Sequence, residues 1–203
     1  MFDRNLQEYS TPLLLYLAKY LVKARISADF ISGAGFAFGV IAALLAAKSY
    51  FLCALIFFLV NRLLDGLDGV VARINGPTHR GAFLDIVFDF IIYSSLPFAF
   101  AIFDRNNSFA SCFVIFSFIG TGTTFLAYAI MQAKIPEKFQ KKIGQKSFYY
   151  LGGIVEGAET ILFISFILLF PTLFSPAAFL FGTLCWVSSF FRLYAGWQDF
   201  SLK

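Results

Sequence analysis

Residues 86–103 read IVFDFIIYSSLPFAFAIF, and residues 108–133 read SFASCFVIFSFIGTGTTFLAYAIMQA. The first run carries only Asp89 as a charge and the second carries none, so each is long and apolar enough to cross a hydrocarbon core of roughly 30 Å. Working outward, Phe51 to Val60 is also free of charge. With 59% hydrophobic residues, 29 phenylalanines and only 14% charged residues among 203, the chain lacks the composition of a water-exposed surface. The pattern predicts an all-α polytopic membrane protein. Six transmembrane helices are expected near 28–48, 50–73, 81–104, 108–134, 148–170 and 176–197. Their connections are short, so residues 1–203 are read as a single membrane domain.

Residues 1–25 form an interfacial amphipathic segment in this reading. Leu13, Leu14, Leu17, Tyr20, Leu21 and Ala24 recur at helical spacing, and Lys19, Lys23 and Arg25 suit the headgroup side. Met1 to Arg25 mixes charged and apolar residues throughout, so no removable signal is expected there. Basic residues then orient the bundle. Arg4, Lys19, Lys23 and Arg25 precede the first span, Arg62, Arg73 and Arg80 lie in or after the second, and Lys134, Lys138, Lys141, Lys142 and Lys146 follow the fourth. Arg192 and Lys203 fall on the same side, against Lys48 and Arg105 on the other, which predicts cytoplasmic termini and cytoplasmic loops at 74–80 and 135–147. The protein is expected in a membrane, the inner one in a bacterium. A net charge of +4 without a basic soluble surface points to anionic lipid and not to nucleic acid. Cys53, Cys112 and Cys185 lie far apart in apolar runs, as small buried hydrophobes rather than metal ligands or disulfide partners.

Four of the twelve carboxylates fall between Asp65 and Asp89, inside helices that otherwise read as membrane-embedded. Such groups are costly there without a partner or a task. Asp65 and Asp68 are three apart, and Asp85 and Asp89 four apart, so each pair projects from one helix face. A turn at Asn75, Gly76 and Pro77 folds the second helix back and can gather all four acids around one point. Four clustered carboxylates need counter-charge, and oxygen-only ligands favour magnesium or manganese over zinc. Gly69 lies one turn after Asp65 and Gly81 one turn before Asp85, leaving backbone open to a diphosphate, and Ala72 continues the small-residue face. Arg73 extends that face toward the cytoplasm, where its guanidinium can hold a phosphate with two hydrogen bonds. The coincidence of four acids, two glycines and an arginine decides for a ligand site over a structural pairing of Asp65 and Asp68 with Arg62 or Arg73.

Written out, Asp65-Gly-Leu-Asp68-Gly69-Val-Val-Ala72-Arg73, followed after seven residues by Gly81-Ala-Phe-Leu-Asp85-Ile-Val-Phe-Asp89, resembles the signature of the CDP-alcohol phosphotransferase (CDP-alcohol phosphatidyltransferase) family, D-x-x-D-G-x-x-A-R and G-x-x-x-D-x-x-x-D. Every fixed position matches. The resemblance implies that Asp65, Asp68, Asp85 and Asp89 ligate two metal ions, Mg2+ or Mn2+, and that Asp89 also takes the proton of an acceptor hydroxyl. It implies that Gly69, Ala72, Arg73 and Gly81 line the cytidine diphosphate site, and it is compatible with a homodimer. At the first span the family often has T-P-N-x-x-T-x-x-G, where this chain has Ser27-Ala28-Asp29-Phe-Ile-Ser32-Gly-Ala-Gly35. Ser32 can donate to phosphate. Asp29 either faces ribose, cytosine or metal, or caps the helix.

Outside the signature, Glu156 and Glu159 sit three apart near the start of the fifth span amid small residues. They are candidates to bind the acceptor, with a helix-end pair as the competing account. Arg80 is a further acceptor candidate, and His79 beside it is read as a solvated loop residue. The expected function is transfer of the phosphatidyl group of a CDP-lipid, such as CDP-diacylglycerol, to an alcohol with release of CMP. Glycerol phosphate, serine, inositol or its phosphate and choline are all candidate acceptors. The rival readings are a membrane prenyl-diphosphate transferase and a cation transporter with a carboxylate site.

Overall fold

The computed structural model describes residues 14–134 and 155–201, and these are helical with no strand among them. Helix α1 covers residues 14–23. It is followed by α2 (Ala28–Ala47), α3 (Phe51–Asn75), α4 (His79–Phe103), α5 (Ser108–Ala133), α6 (Gly157–Leu169) and α7 (Phe174–Phe200). Single 3₁₀ turns at Arg105–Asn107 and Pro171–Leu173 lead into α5 and α7. Helices dominate because a backbone surrounded by lipid must satisfy its own polar groups within each segment. The ends are set locally. Ser27 caps α2 by accepting from the Phe30 amide, and Thr78 caps α4 by accepting from the Gly81 amide.

Four helical stretches are both long and apolar enough to cross a membrane: Ala28–Ala47, His79–Phe103, Arg105–Ala133 and Pro171–Phe200. The sequence predicts six. Helix α3 has the length, at 25 residues, but Arg62, Asp65, Asp68 and Arg73 dilute its apolar character. Helix α6 is apolar but spans only 13 described residues, and residues 148–154 of the expected fifth span lie outside those described. Large apolar side chains such as Leu44, Leu52, Phe98, Phe109 and Phe116 face outward. In lipid such exposure carries no hydrophobic penalty. The same reasoning corrects the expectation for the cysteines: Cys185 is buried, but Cys53 and Cys112 lie on the outer surface.

The core is largely aromatic and aliphatic. Phe58, Ile92, Leu96, Phe100, Ile164, Ile167, Leu168 and Phe174 are fully buried. Phe100 stacks on Phe174 with ring centroids 4.3 Å apart, and Phe163 on Phe181 at 4.2 Å. Helix α2 is the common neighbour of α3 and α4. Its small residues make this possible: a Cβ on Gly35 would stand 3.3 Å from that of Leu64 on α3, and one on Gly39 would lie 2.5 Å from Ile92 on α4. The sequence expects the turn after α3 to bring α3 and α4 together, whereas much of their relationship is mediated by α2 lying against both. On the far side α5 packs along α7 and against α4.

Helix α1 is amphipathic. Ala18 is fully buried in a cluster with Ile31, Leu67, Val70 and Val71, which Leu14, Leu17 and Leu21 pack against. Tyr16, Lys19, Tyr20 and Lys23 face away. Tyr20 and Ala24 were expected on the apolar stripe but are exposed. At 3.6 residues per turn Tyr20 rotates off the face of Leu14, Leu17 and Leu21, and Ala24 falls in the turn after the helix. Arg25 closes that turn with φ 60°. Leu13, Arg4, Lys138, Lys141, Lys142, Lys146 and Lys203, used above, lie outside the described residues.

Candidate active site

Helix α3 carries Asn61, Arg62, Asp65 and Asp68 along its second half, and α4 carries Asp85, Asp89 and Tyr93 at successive turns. Asp65 is close enough to feel the charges of Arg62, Asp89, Asp68 and Asp85, and Asp68 those of Asp85 and Asp89. All four signature aspartates therefore share one electrostatic neighbourhood. Asp65, Asp68 and Asp85 line a small polar cavity together with Ser32, Asn61 and Arg62. Asp68 is buried and accepts a 2.5 Å hydrogen bond from the Ser32 hydroxyl, while Asp85 stands exposed. Asp89 is held by Arg62, whose Nη1 lies 2.7 Å from its Oδ1 and 3.5 Å from Asp65 Oδ2. The pairing with Arg62, passed over in the sequence, is thus present, but it reaches mainly across to α4.

Among the described residues no group of three or more His, Cys, Asp or Glu side chains converges tightly enough to hold one ion. The carboxylates turn to separate partners, Asp68 to Ser32 and Asp89 to Arg62. The donor set nevertheless fits hard divalent cations. Four carboxylates within mutual electrostatic range outweigh the guanidinium beside them, and the oxygens around the small cavity belong to the ligand class that suits Mg2+ or Mn2+.

Of the remaining signature residues, Ala72 is partly buried and Arg73 is exposed. A Cβ on Gly69 would sit 3.5 Å from Arg73 Nη1, so the arginine lies over the open backbone of that turn. Gly81 is tighter: a Cβ would meet Thr78 Oγ1 at 3.1 Å and Asp29 Oδ1 at 3.4 Å. Its smallness therefore serves the cap of α4 as well as any ligand. Asp29 is not the α2 cap, which is Ser27; it pairs instead with Arg80. That pair ties the start of α2 to the start of α4. Arg80 is largely exposed and does not line the larger cavity described next. His79, expected in the loop, is the first residue of α4.

A cavity of about 460 Å³ opens beside the aspartates, lined by Asp85, Asp89, Tyr93, Thr121, Glu156 and Arg192 among apolar side chains. Glu156 and Glu159 part company here. Glu156 is the N-cap of α6, not a helical residue sharing a face with Glu159, and the two form a capping box in which the Glu156 amide donates to Glu159 Oε2 at 3.0 Å. Glu159 lies on a second, apolar groove between α6 and α7. Arg192, read from the sequence only as a topological charge, is buried, donates to the Thr121 hydroxyl at 2.6 Å and lies over Phe125. Tyr93, Thr121 and Arg192 were not singled out as site residues. The signal for Arg192 was present, since a basic residue within an apolar span faces a cavity or a partner by default. Tyr93 and Thr121 gave no such signal.

The chain belongs to the CDP-alcohol phosphatidyltransferase family, whose pattern matches residues 25–194. It is an integral membrane protein of a transferase class. It is also 43% identical over 198 residues to the inner membrane protein YnjF of Escherichia coli (strain K12), an alignment covering 97% of this chain and 96% of that protein. Family membership sets aside the prenyl-diphosphate transferase and cation-transporter readings.

Proposed function

We propose that the protein transfers the phosphatidyl group of a CDP-lipid such as CDP-diacylglycerol to an alcohol and releases CMP, as a step of phospholipid synthesis. The observation that supports this best is the position of Asp85, which lines both the small polar cavity and the larger one. A cation at the first, which has room for about one water-sized group, and an acceptor hydroxyl in the second would meet beside the α4 carboxylates. Asp65, Asp68, Asp85 and Asp89 would hold two Mg2+ or Mn2+ ions. Bound there, the ions would supply charge neutralisation of the diphosphate and of the departing CMP. Ser32, Gly69, Ala72, Arg73, Gly81 and Asp29 are assigned to the CDP moiety. Asp89, within reach of the larger cavity, would accept the acceptor's proton as its oxygen bonds to the lipid-bearing phosphorus and the bond to CMP breaks.

In this reading residues 1–203 form one six-span domain. Helix α3 is the second span despite its charges, α6 is the fifth, and α1 lies along the interface with Lys19 and Lys23 toward headgroups. The basic bias of the loops supports an active site on the cytoplasmic side, and a homodimer is the expected assembly. The experiment that tests the function is incubation of purified protein with labelled CDP-diacylglycerol and a panel of alcohols, followed by CMP and the lipid product. One acceptor is expected to raise CMP release well above the acceptor-free rate. Equal release with every alcohol, or none, would overturn the reading.

The separation of the two glutamates gives a sharper expectation. Glu156→Gln removes a charge from the cavity wall, and should raise the acceptor KM by roughly tenfold while the CDP-lipid KM moves about twofold or less. Glu159→Ala removes the capping-box acceptor, and should lower stability by about 1 kcal/mol with both KM values near wild type. Steady-state kinetics and thermal unfolding in detergent distinguish these patterns. An unchanged acceptor KM in Glu156→Gln would return Glu156 to a purely capping role.

A further inference from the structure

Arg62 is buried at the side-chain level, 8% exposed, and its partners lie on α3 and α4, with Asn61 carrying the network on to α2. Its Nε donates to Asn61 Oδ1 at 2.8 Å, and Asn61 in turn donates to the Gly35 carbonyl of α2 at 2.9 Å. Its Nη1 donates to Asp89 Oδ1 and to the Tyr93 hydroxyl, both at 2.7 Å on α4. The guanidinium carbon lies 4.9 Å from the Tyr93 ring centroid and 5.8 Å from that of Phe58. Arg62 lines the small cavity with Asp65, Asp68 and Asp85, whereas its partners Asp89 and Tyr93 line the larger one. The guanidinium therefore stands on the wall between the two.

We propose that Arg62 is a positioning residue and a built-in counter-charge: it anchors Asp89 at the wall of the larger cavity and weakens divalent-cation binding at the aspartates by competing for them. This rests on the metal-site reading above. An arginine cannot lose its charge at any accessible pH, so its positive charge stays beside the carboxylates whether or not cations arrive. A cation held by carboxylates that lie 2.7 and 3.5 Å from the guanidinium would sit close enough for the like charges to repel appreciably even with substantial dielectric screening. Ions would then bind loosely enough to exchange, and Asp89 would keep one oxygen tied to Arg62, whose Nη1 also donates to the Tyr93 hydroxyl. Lysine offers the same charge as a compact point and lacks the planar fork that spans Asn61, Asp89 and Tyr93.

The test is Mn2+ binding to the detergent-solubilised full chain, read from the paramagnetic resonance of free Mn2+, alongside kcat for CMP release. Arg62→Gln is expected to bind Mn2+ on the order of tenfold more tightly than wild type, because a repulsive charge is gone. Arg62→Lys is expected to keep the wild-type Mn2+ affinity within about threefold yet lose at least about tenfold in kcat, because Asp89 is no longer held in place. Arg62→Gln binding Mn2+ no more tightly than wild type would overturn the counter-charge, and Arg62→Lys with wild-type kcat would overturn the positioning. If Arg62→Gln does not fold, Arg62→Met, which also removes the charge, tests the counter-charge by the same Mn2+ readout, while the lysine variant decides the positioning through kcat. Wild-type protein that binds no Mn2+ sinks the metal reading itself and this inference with it, a result distinct from variants that bind like wild type.

Discussion

Asp89→Asn is expected to lower turnover by on the order of a thousandfold while the CDP-lipid KM changes by less than about tenfold, since general-base assistance contributes on that scale. The amide can still accept a hydrogen bond from Arg62, which now holds Asp89 Oδ1 at 2.7 Å. It cannot take a proton from an alcohol. Because Asp89 is partly exposed and faces the larger cavity, the substitution buries no new polar group, and the fold should survive it. Steady-state kinetics on monodisperse protein provide the check. Turnover close to wild type would remove Asp89 from the base role and leave it as a partner for Arg62.

Chelation is the second expectation of large effect. Stripping divalent ions should bring CMP release down to background, and adding Mg2+ or Mn2+ should restore it. Asp85→Asn should lose on the order of a thousandfold in rate without recovery at saturating metal, since Asp85 serves both cavities. Its exposure keeps the packing cost of that change small. Full-rate CMP release in excess chelator would show that the carboxylates work without cations, with Arg62 and Arg73 as the remaining charges on the diphosphate.

Much of this protein is legible in its sequence because its strongest determinants are local. A run such as residues 108–133 must be helical once lipid surrounds it, whatever it packs against. The spacing of Asp65, Asp68, Asp85 and Asp89 fixes which carboxylates share a helix face before any tertiary contact forms. The signature also needs no fold to be recognised, and the family match over residues 25–194 agrees with it. Two local alternatives stayed open in the sequence: Ser27, not Asp29, caps α2, and Glu156 and Glu159 meet as a pair at the start of α6, because cap positions depend on where a helix begins to within one residue.

What the sequence could not supply are the contacts between residues far apart in the chain. Arg62 reaches Asp89 and Tyr93, Asn61 reaches Gly35, and Arg192 reaches Thr121 only because α2 lies against both α3 and α4 and α7 packs along α5. Those helix pairings follow from which small residues permit close approach, as at Gly35 and Gly39, and hydropathy is nearly blind to them because lipid-facing and core-facing residues are equally apolar. The sequence by itself thus determined a helical membrane protein with a carboxylate signature at fixed spacing. Only the tertiary structure decided that Asp85 joins two cavities with Arg62 on the wall between them, and that Glu156 lines one of these while Glu159 lies on a separate groove, since side-chain partnership across helices is set by packing and not by spacing along the chain.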